Sequence, residues 1–128
     1  MKGILADTSV IIDYLAGKSS EAANTLLESH KVSISILTHY EVCKYMLRVG
    51  EKNPLQVVSE RLSKFEALPL SIEICERAAK ISHSTGIPAA DALIYATGIL
   101  SSLKVAASEE HFEGMPDVIY FGPKKKRK

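Results

Sequence analysis

The stretch Gly3-Ile4-Leu5-Ala6-Asp7-Thr8-Ser9-Val10-Ile11-Ile12-Asp13 decides the fold. Residues 3–6 form an apolar run without alternation, which reads as a short strand buried on both faces. Asp7 ends it. Thr8 or Ser9 is expected to cap a helix that runs to Tyr14 or Leu15 and breaks near Gly17. A buried strand that passes directly into a helix, with an acid at the junction, is a unit of a parallel α/β sheet.

The same grammar continues outward. Residues 20–29 carry Ala22, Ala23, Leu26 and Leu27 at helical spacing, and residues 32–36 read as a second strand. Thr38 is expected to cap a helix to about Val49, ended by Gly50. Pro54 suits the first turn of a helix to about Phe65. Residues 68–70 read as a weak third strand. A helix opened by Ser71 carries Ile74, Ala78, Ala79 and Ile81 and closes at Gly86. Pro88 introduces a helix over 89–101. Residues 104–107 and 118–121 complete the strands. The alternation predicts an α/β three-layer sandwich, a short, mostly parallel central sheet flanked by helices.

The 128 residues suit one domain, and 46% hydrophobic content provides a core. No apolar run approaches the roughly 20 residues of a membrane span. Asp7 and Asp13 interrupt the N-terminal aliphatics, which are therefore not read as a signal peptide. Cys43 and Cys75 are far apart and read as reduced thiols of a cytoplasmic protein. Net charge is +1, but the last five residues, Lys124 to Lys128, supply five of the 16 basic side chains against 15 acidic ones. Residues 1–123 therefore carry 11 basic and 15 acidic side chains, a net of −4. An acidic body is not the footprint of a passive nucleic-acid binder. The expected division is one domain over 1–123 and a basic tail over 124–128. The tail reads as phosphate-contacting or merely solubilising.

On this scheme four acids fall at one edge of the sheet. Asp7 ends the first strand, and Glu41 lies in the first turn of the helix after the second. Asp91 lies in the first turn of the helix before the fourth strand, and Glu109 follows that strand. Open α/β sheets place their sites outside the carboxyl ends of the strands. Four clustered carboxylates repel by up to roughly 4 kcal/mol per pair at 4 Å and an effective dielectric of 20. They must take up protons or hold a cation. Oxygen ligands without His or Cys select Mg²⁺ or Mn²⁺. Each acid also has a plainer role. Asp7 can cap its helix, Asp91 can answer a helix dipole, and Glu109 can be a solvated loop acid. Glu41 can close a capping box with Thr38. Asp13 reads as a helix-surface charge, and His30, His39, His83 and His111 as surface residues without metal spacing. Tyr40, Tyr45 and Tyr95 read as core or interface.

Four runs together resemble the PIN-domain family. Leu5 to Asp13 resembles its opening, a hydrophobic strand followed by Asp-Thr/Ser-Ser/Asn. Ser35-Ile36-Leu37-Thr38-His39-Tyr40-Glu41 resembles its second motif, and Ile87-Pro88-Ala89-Ala90-Asp91-Ala92-Leu93-Ile94-Tyr95-Ala96 its third. Val105 to Phe112 resembles the fourth, strand-Thr-x-Asp-x-x-Phe, with Ala107 in place of the Thr and Glu109 in place of the Asp. Glu110 offers a shifted register. The size resembles stand-alone VapC toxins of toxin–antitoxin pairs.

The resemblance implies a Mg²⁺- or Mn²⁺-dependent endoribonuclease, the toxin of such a pair, acting on RNA and met by an antitoxin protein. Asp7, Asp91, Glu41 and Glu109 would be catalytic metal ligands, with Glu41 holding metal or orienting the attacking water. Ser9 would hydrogen-bond near the metal, toward substrate. Attack by water would leave a 5′-phosphate and a 3′-hydroxyl. Helices carrying Leu62, Phe65, Ile74 and Ala78 are expected to pair in a homodimer. The alternatives are a PIN-fold module that binds RNA or protein without cutting, and a metallophosphohydrolase acting on DNA or small phosphates.

Overall fold

The central strand over residues 4–6 is apolar on both sides because both faces of the sheet are covered there. The structure is a computed structural model that describes residues 3–123. The elements are β1 (Ile4–Ala6), α1 (Thr8–Leu15), α2 (Glu21–Ser29), β2 (Val32–Ser35), α3 (Ile36–Arg48), α4 (Pro54–Leu62) and β3 (Glu66–Leu68). They continue with α5 (Ile72–Thr85), α6 (Ala89–Leu100), β4 (Lys104–Ala107), a 3₁₀ turn (Glu110–Phe112) and β5 (Val118–Tyr120). The basic tail lies outside the described residues.

The sheet order is β3-β2-β1-β4-β5, and every pairing is parallel. The expected mostly parallel sheet is thus parallel throughout. Strand period sorts the core into layers. Ile4, Ala6, Val32, Ile34 and Ala106 pack on one face with Val10, Ile11, Leu27, Val42 and Val58 of the first four helices. Leu5, Val105 and Ala107 pack on the other with Ile94, Tyr95 and Phe112. Beyond that layer, α5 lays Ile74 and Ala78 against Ala92 and Ala96 of α6. Gly98 lets α6 approach β4, since a Cβ there would meet Val105 Cγ2 at 2.6 Å. Gly86 ends α5 in the left-handed conformation at φ 78°, donating to Ser82 O.

Several local expectations are corrected. Asp7, not Thr8 or Ser9, caps α1. Helix α3 begins at Ile36 behind Ser35, whose hydroxyl accepts from Leu37 N at 3.1 Å. Thr38 is therefore inside the helix and fully buried, so it cannot cap. Glu41 consequently lies in the second turn, outside any capping box. The third strand is Glu66–Leu68 rather than 68–70, since Pro69 has no amide to extend the ladder. Leu62, Phe65, Ile74 and Ala78, expected at an interface, are buried within the chain. The exposed apolar side chains are instead Ile36, Tyr40, Leu47 and Val49 around α3, Leu55 on α4 and Ile72 on α5.

Candidate metal centre

The chain runs outward from β1 to β2 and β3, then returns to place β4 on the other side of β1. Ligands bind such sheets at this reversal, outside the strand ends. The Asp7 amide donates to Ala106 O at 2.8 Å, so the ends of β1 and β4 meet there.

Asp7 is 2% exposed. Its Oδ2 accepts from the Ser9 amide at 3.1 Å and the Ser9 hydroxyl at 2.6 Å. Its Oδ1 has none: among the described residues it is the one buried side-chain polar atom without a hydrogen-bond partner. Burial pushes the Asp7 carboxyl up to about 6, against the pull of the Ser9 hydroxyl and amide, and the charge of Asp91 adds to the rise. An ionised carboxylate with one satisfied oxygen and one bare one is costly in an apolar setting. A cation beside Oδ1 would remove that cost.

Ser9 holds the junction together. Its Oγ also accepts from the Ser108 amide at 3.1 Å, tying α1 to the loop after β4. Ser108 in turn donates its hydroxyl to Asp13 Oδ2 at 3.1 Å. Asp13 is therefore not a free surface charge but a half-buried acceptor that fixes this loop.

Glu41 reaches the same edge from α3. Its Oε1 accepts from Thr8 Oγ1 at 2.6 Å, and Thr8 Oγ1 lies 3.0 Å from Thr38 Oγ1. Two buried hydroxyls thus aim the carboxylate. Asp91 sits in the first turn of α6. Burial raises its pKa, the hydrogen bond and charge of His111 lower it, and the charges of Glu109 and Glu41 raise it. Asp91 is thus the electrostatic hub, acting on or acted upon by the other three acids.

Glu109 caps the 3₁₀ turn, its Oε1 accepting from His111 N at 3.2 Å. That turn is anchored by fully buried Phe112, whose ring lies 6.3 Å from that of Tyr95. Removing the Phe112 ring would cost about 3–5 kcal/mol and release the segment that carries Glu109. His111 is exposed, as expected of a surface residue, and its Nδ1 lies 3.0 Å from both Asp91 Oδ2 and Glu109 Oε1.

The donor chemistry suits a hard divalent cation: carboxylate oxygens, a helix N-terminus at Asp91 and a bare buried Oδ1. Among the described residues, however, no group of three or more His, Cys, Asp or Glu side chains stands in a metal-holding arrangement. The acids are near enough to interact, but Asp91 and Glu109 close on His111 instead.

A family model described as the PIN domain matches residues 4–118. No curated protein matches the chain. Among solved structures, a toxin–antitoxin complex from Klebsiella pneumoniae contains a chain 27% identical. It matches with a TM-score of 0.77 over 91% of this chain and 96% of that one. FitAcB from Neisseria gonorrhoeae is 28% identical, with a TM-score of 0.72 over 93% and 96%. DNA-bound VapBC from Salmonella typhimurium, at 19% identity and a TM-score of 0.77 over 94% and 99%, shares the fold.

Proposed function

The chain belongs to the PIN-domain family, and from that premise we propose that it is a Mg²⁺- or Mn²⁺-dependent endoribonuclease of the toxin type. Residues 1–123 would be its single nuclease domain. Asp7, Asp91 and Glu109 would hold the cation, with Glu41 beside them. Bound divalent metal supplies electrophilic stabilisation of phosphate charge and acidifies water. The chain's own residues do the rest. Ser9 holds Asp7 through Oδ2 and leaves Oδ1 free to take a cation. The Thr38–Thr8 pair holds Glu41 as an acceptor for the proton of an attacking water. The proposal rests above all on Asp7 Oδ1, a buried carboxylate oxygen with no donor to satisfy it.

Two of the similar structures are described as toxin–antitoxin complexes or VapBC, which supports an antitoxin partner in the cytoplasm. The exposed Ile72, Leu55 and Leu47 support pairing with a second copy or cover by that partner. No helix of the described residues is long and apolar enough to cross a membrane.

One observation favours the second reading, a PIN-fold module that binds without cutting: among the described residues no three His, Cys, Asp or Glu side chains stand in a metal-holding arrangement. Incubation with RNA, single-stranded DNA and p-nitrophenyl phosphate in Mn²⁺ separates the readings. Cleavage of RNA alone is expected. Binding of RNA without cleavage would favour the module, and turnover of DNA or the small ester would assign another phosphohydrolase.

A further inference from the structure

His111 bridges two of the acids proposed to hold the cation. Its Nδ1 lies 3.0 Å from Asp91 Oδ2 and 3.0 Å from Glu109 Oε1. Ionised carboxylates accept hydrogen bonds and do not donate them, so Nδ1 is the hydrogen-bearing nitrogen. The backbone amide of His111 also donates to Glu109 Oε1, at 3.2 Å. One residue therefore donates its amide to Glu109 and its ring N–H to Asp91, with the same ring nitrogen 3.0 Å from Glu109 Oε1. This happens although Glu109 and Asp91 belong to different elements, the former capping the 3₁₀ turn and the latter in the first turn of α6.

Resting on the proposed metal site, we infer that His111 is a positioning residue that occupies the gap between Asp91 and Glu109 in the metal-free chain and must leave it for a divalent cation to bind there. The sign of its effect follows from geometry. A cation shared by Asp91 and Glu109 sits about 2.0–2.2 Å from each ligating oxygen if it is Mg²⁺. A ring nitrogen in contact with the same two oxygens excludes it from that position. His111 thus competes with metal rather than helping to chelate it. Its side chain is 45% exposed, so the ring can swing into solvent without disturbing the core.

Calorimetric titration of the full chain with Mn²⁺ tests this, comparing wild type, His111→Ala and His111→Gln. Removing a partly exposed ring that donates to Asp91 and contacts Glu109 is expected to tighten Mn²⁺ binding by about three- to tenfold in His111→Ala. His111→Gln, which retains one amide donor, should fall between the two. Equal or weaker binding by His111→Ala would overturn the inference, weaker binding making His111 a ligand, while leaving the metal site intact. Absence of Mn²⁺ binding by both wild type and His111→Ala would overturn the metal site itself and the inference with it. The exposed position of His111 keeps the variants folded, which their unchanged circular dichroism would verify.

Discussion

Neutralising Asp7 should stabilise the metal-free protein at neutral pH. The Asp7 carboxyl is pushed up to about 6 from an ordinary value of 3.8. Because the folded value is the higher one, proton uptake favours the folded chain. That contribution is fully present below about pH 4 and is lost as pH rises through about 6. A rise of this size corresponds to a penalty of about 3 kcal/mol on the ionised form above pH 6. Asp7→Asn removes the charge while its amide oxygen still accepts from Ser9. The amide N–H₂ then replaces the bare Oδ1, and leaving it without an acceptor returns about 1 kcal/mol. The net gain is about 2 kcal/mol at pH 8, roughly 8 °C in Tm for a domain of this size. Thermal melts of both proteins in EDTA at pH 8 and pH 4.5 read this directly. At pH 4.5 the advantage should shrink toward zero. Added Mn²⁺ should reverse the ranking, raising wild type by about 2.7 kcal/mol at a hundredfold excess over Kd and leaving the variant unmoved. A variant no more stable than wild type at pH 8, or equally favoured at both pH values, would refute the buried-charge reasoning.

Glu41→Gln keeps an acceptor for the Thr8 hydroxyl, so its stability should stay within about 0.5 kcal/mol of wild type while RNA cleavage falls at least about tenfold. Full activity of that variant at saturating Mn²⁺ would reduce Glu41 to a structural acceptor. Truncation after Pro123 should flatten the salt dependence of RNA binding if the five basic residues release counterions; an unchanged slope assigns the tail to solubility. Light scattering at tens of micromolar should give about twice the monomer mass, and Ile72→Asp should lower it. A wild type that stays monomeric would leave the exposed apolar side chains to another partner.

Strands β1, β2, β4 and β5 were legible because short aliphatic runs bounded by turn residues have few other solutions, and both faces of β1 and β4 are covered, whereas β3, an exposed edge strand, was placed two residues too late. Ser20, Ser71 and Gly86 marked helix ends correctly because each supplies a local hydrogen bond or a left-handed residue. The start of α3 was not legible. Ser35 and Thr38 are both good caps, and only the burial of Thr38 beside Thr8 decides between them. The placement of the four acids at one edge could be read from topology, but their partners could not. Thr8 meets Glu41 across 33 residues, and His111 meets Asp91 across 20. Ser108 was missed because its role lies in its amide as much as its hydroxyl. One local signal for His111 was available: a buried Phe112 next to it and Glu109 two residues before it fix a tight turn that aims the ring back at the acids.

If these acids form a metal-dependent centre that cuts RNA, one measurement reaches it. Purified wild type, Asp7→Asn and Asp91→Asn are incubated with end-labelled RNA in Mn²⁺ or in EDTA, and the product ends are identified. Wild type is predicted to cleave in Mn²⁺ alone, leaving 5′-phosphate and 3′-hydroxyl ends, with at least a hundredfold loss (about 2.7 kcal/mol) in either variant. Cleavage that persists in EDTA, or that survives in Asp7→Asn, would contradict a metal centre built on these acids.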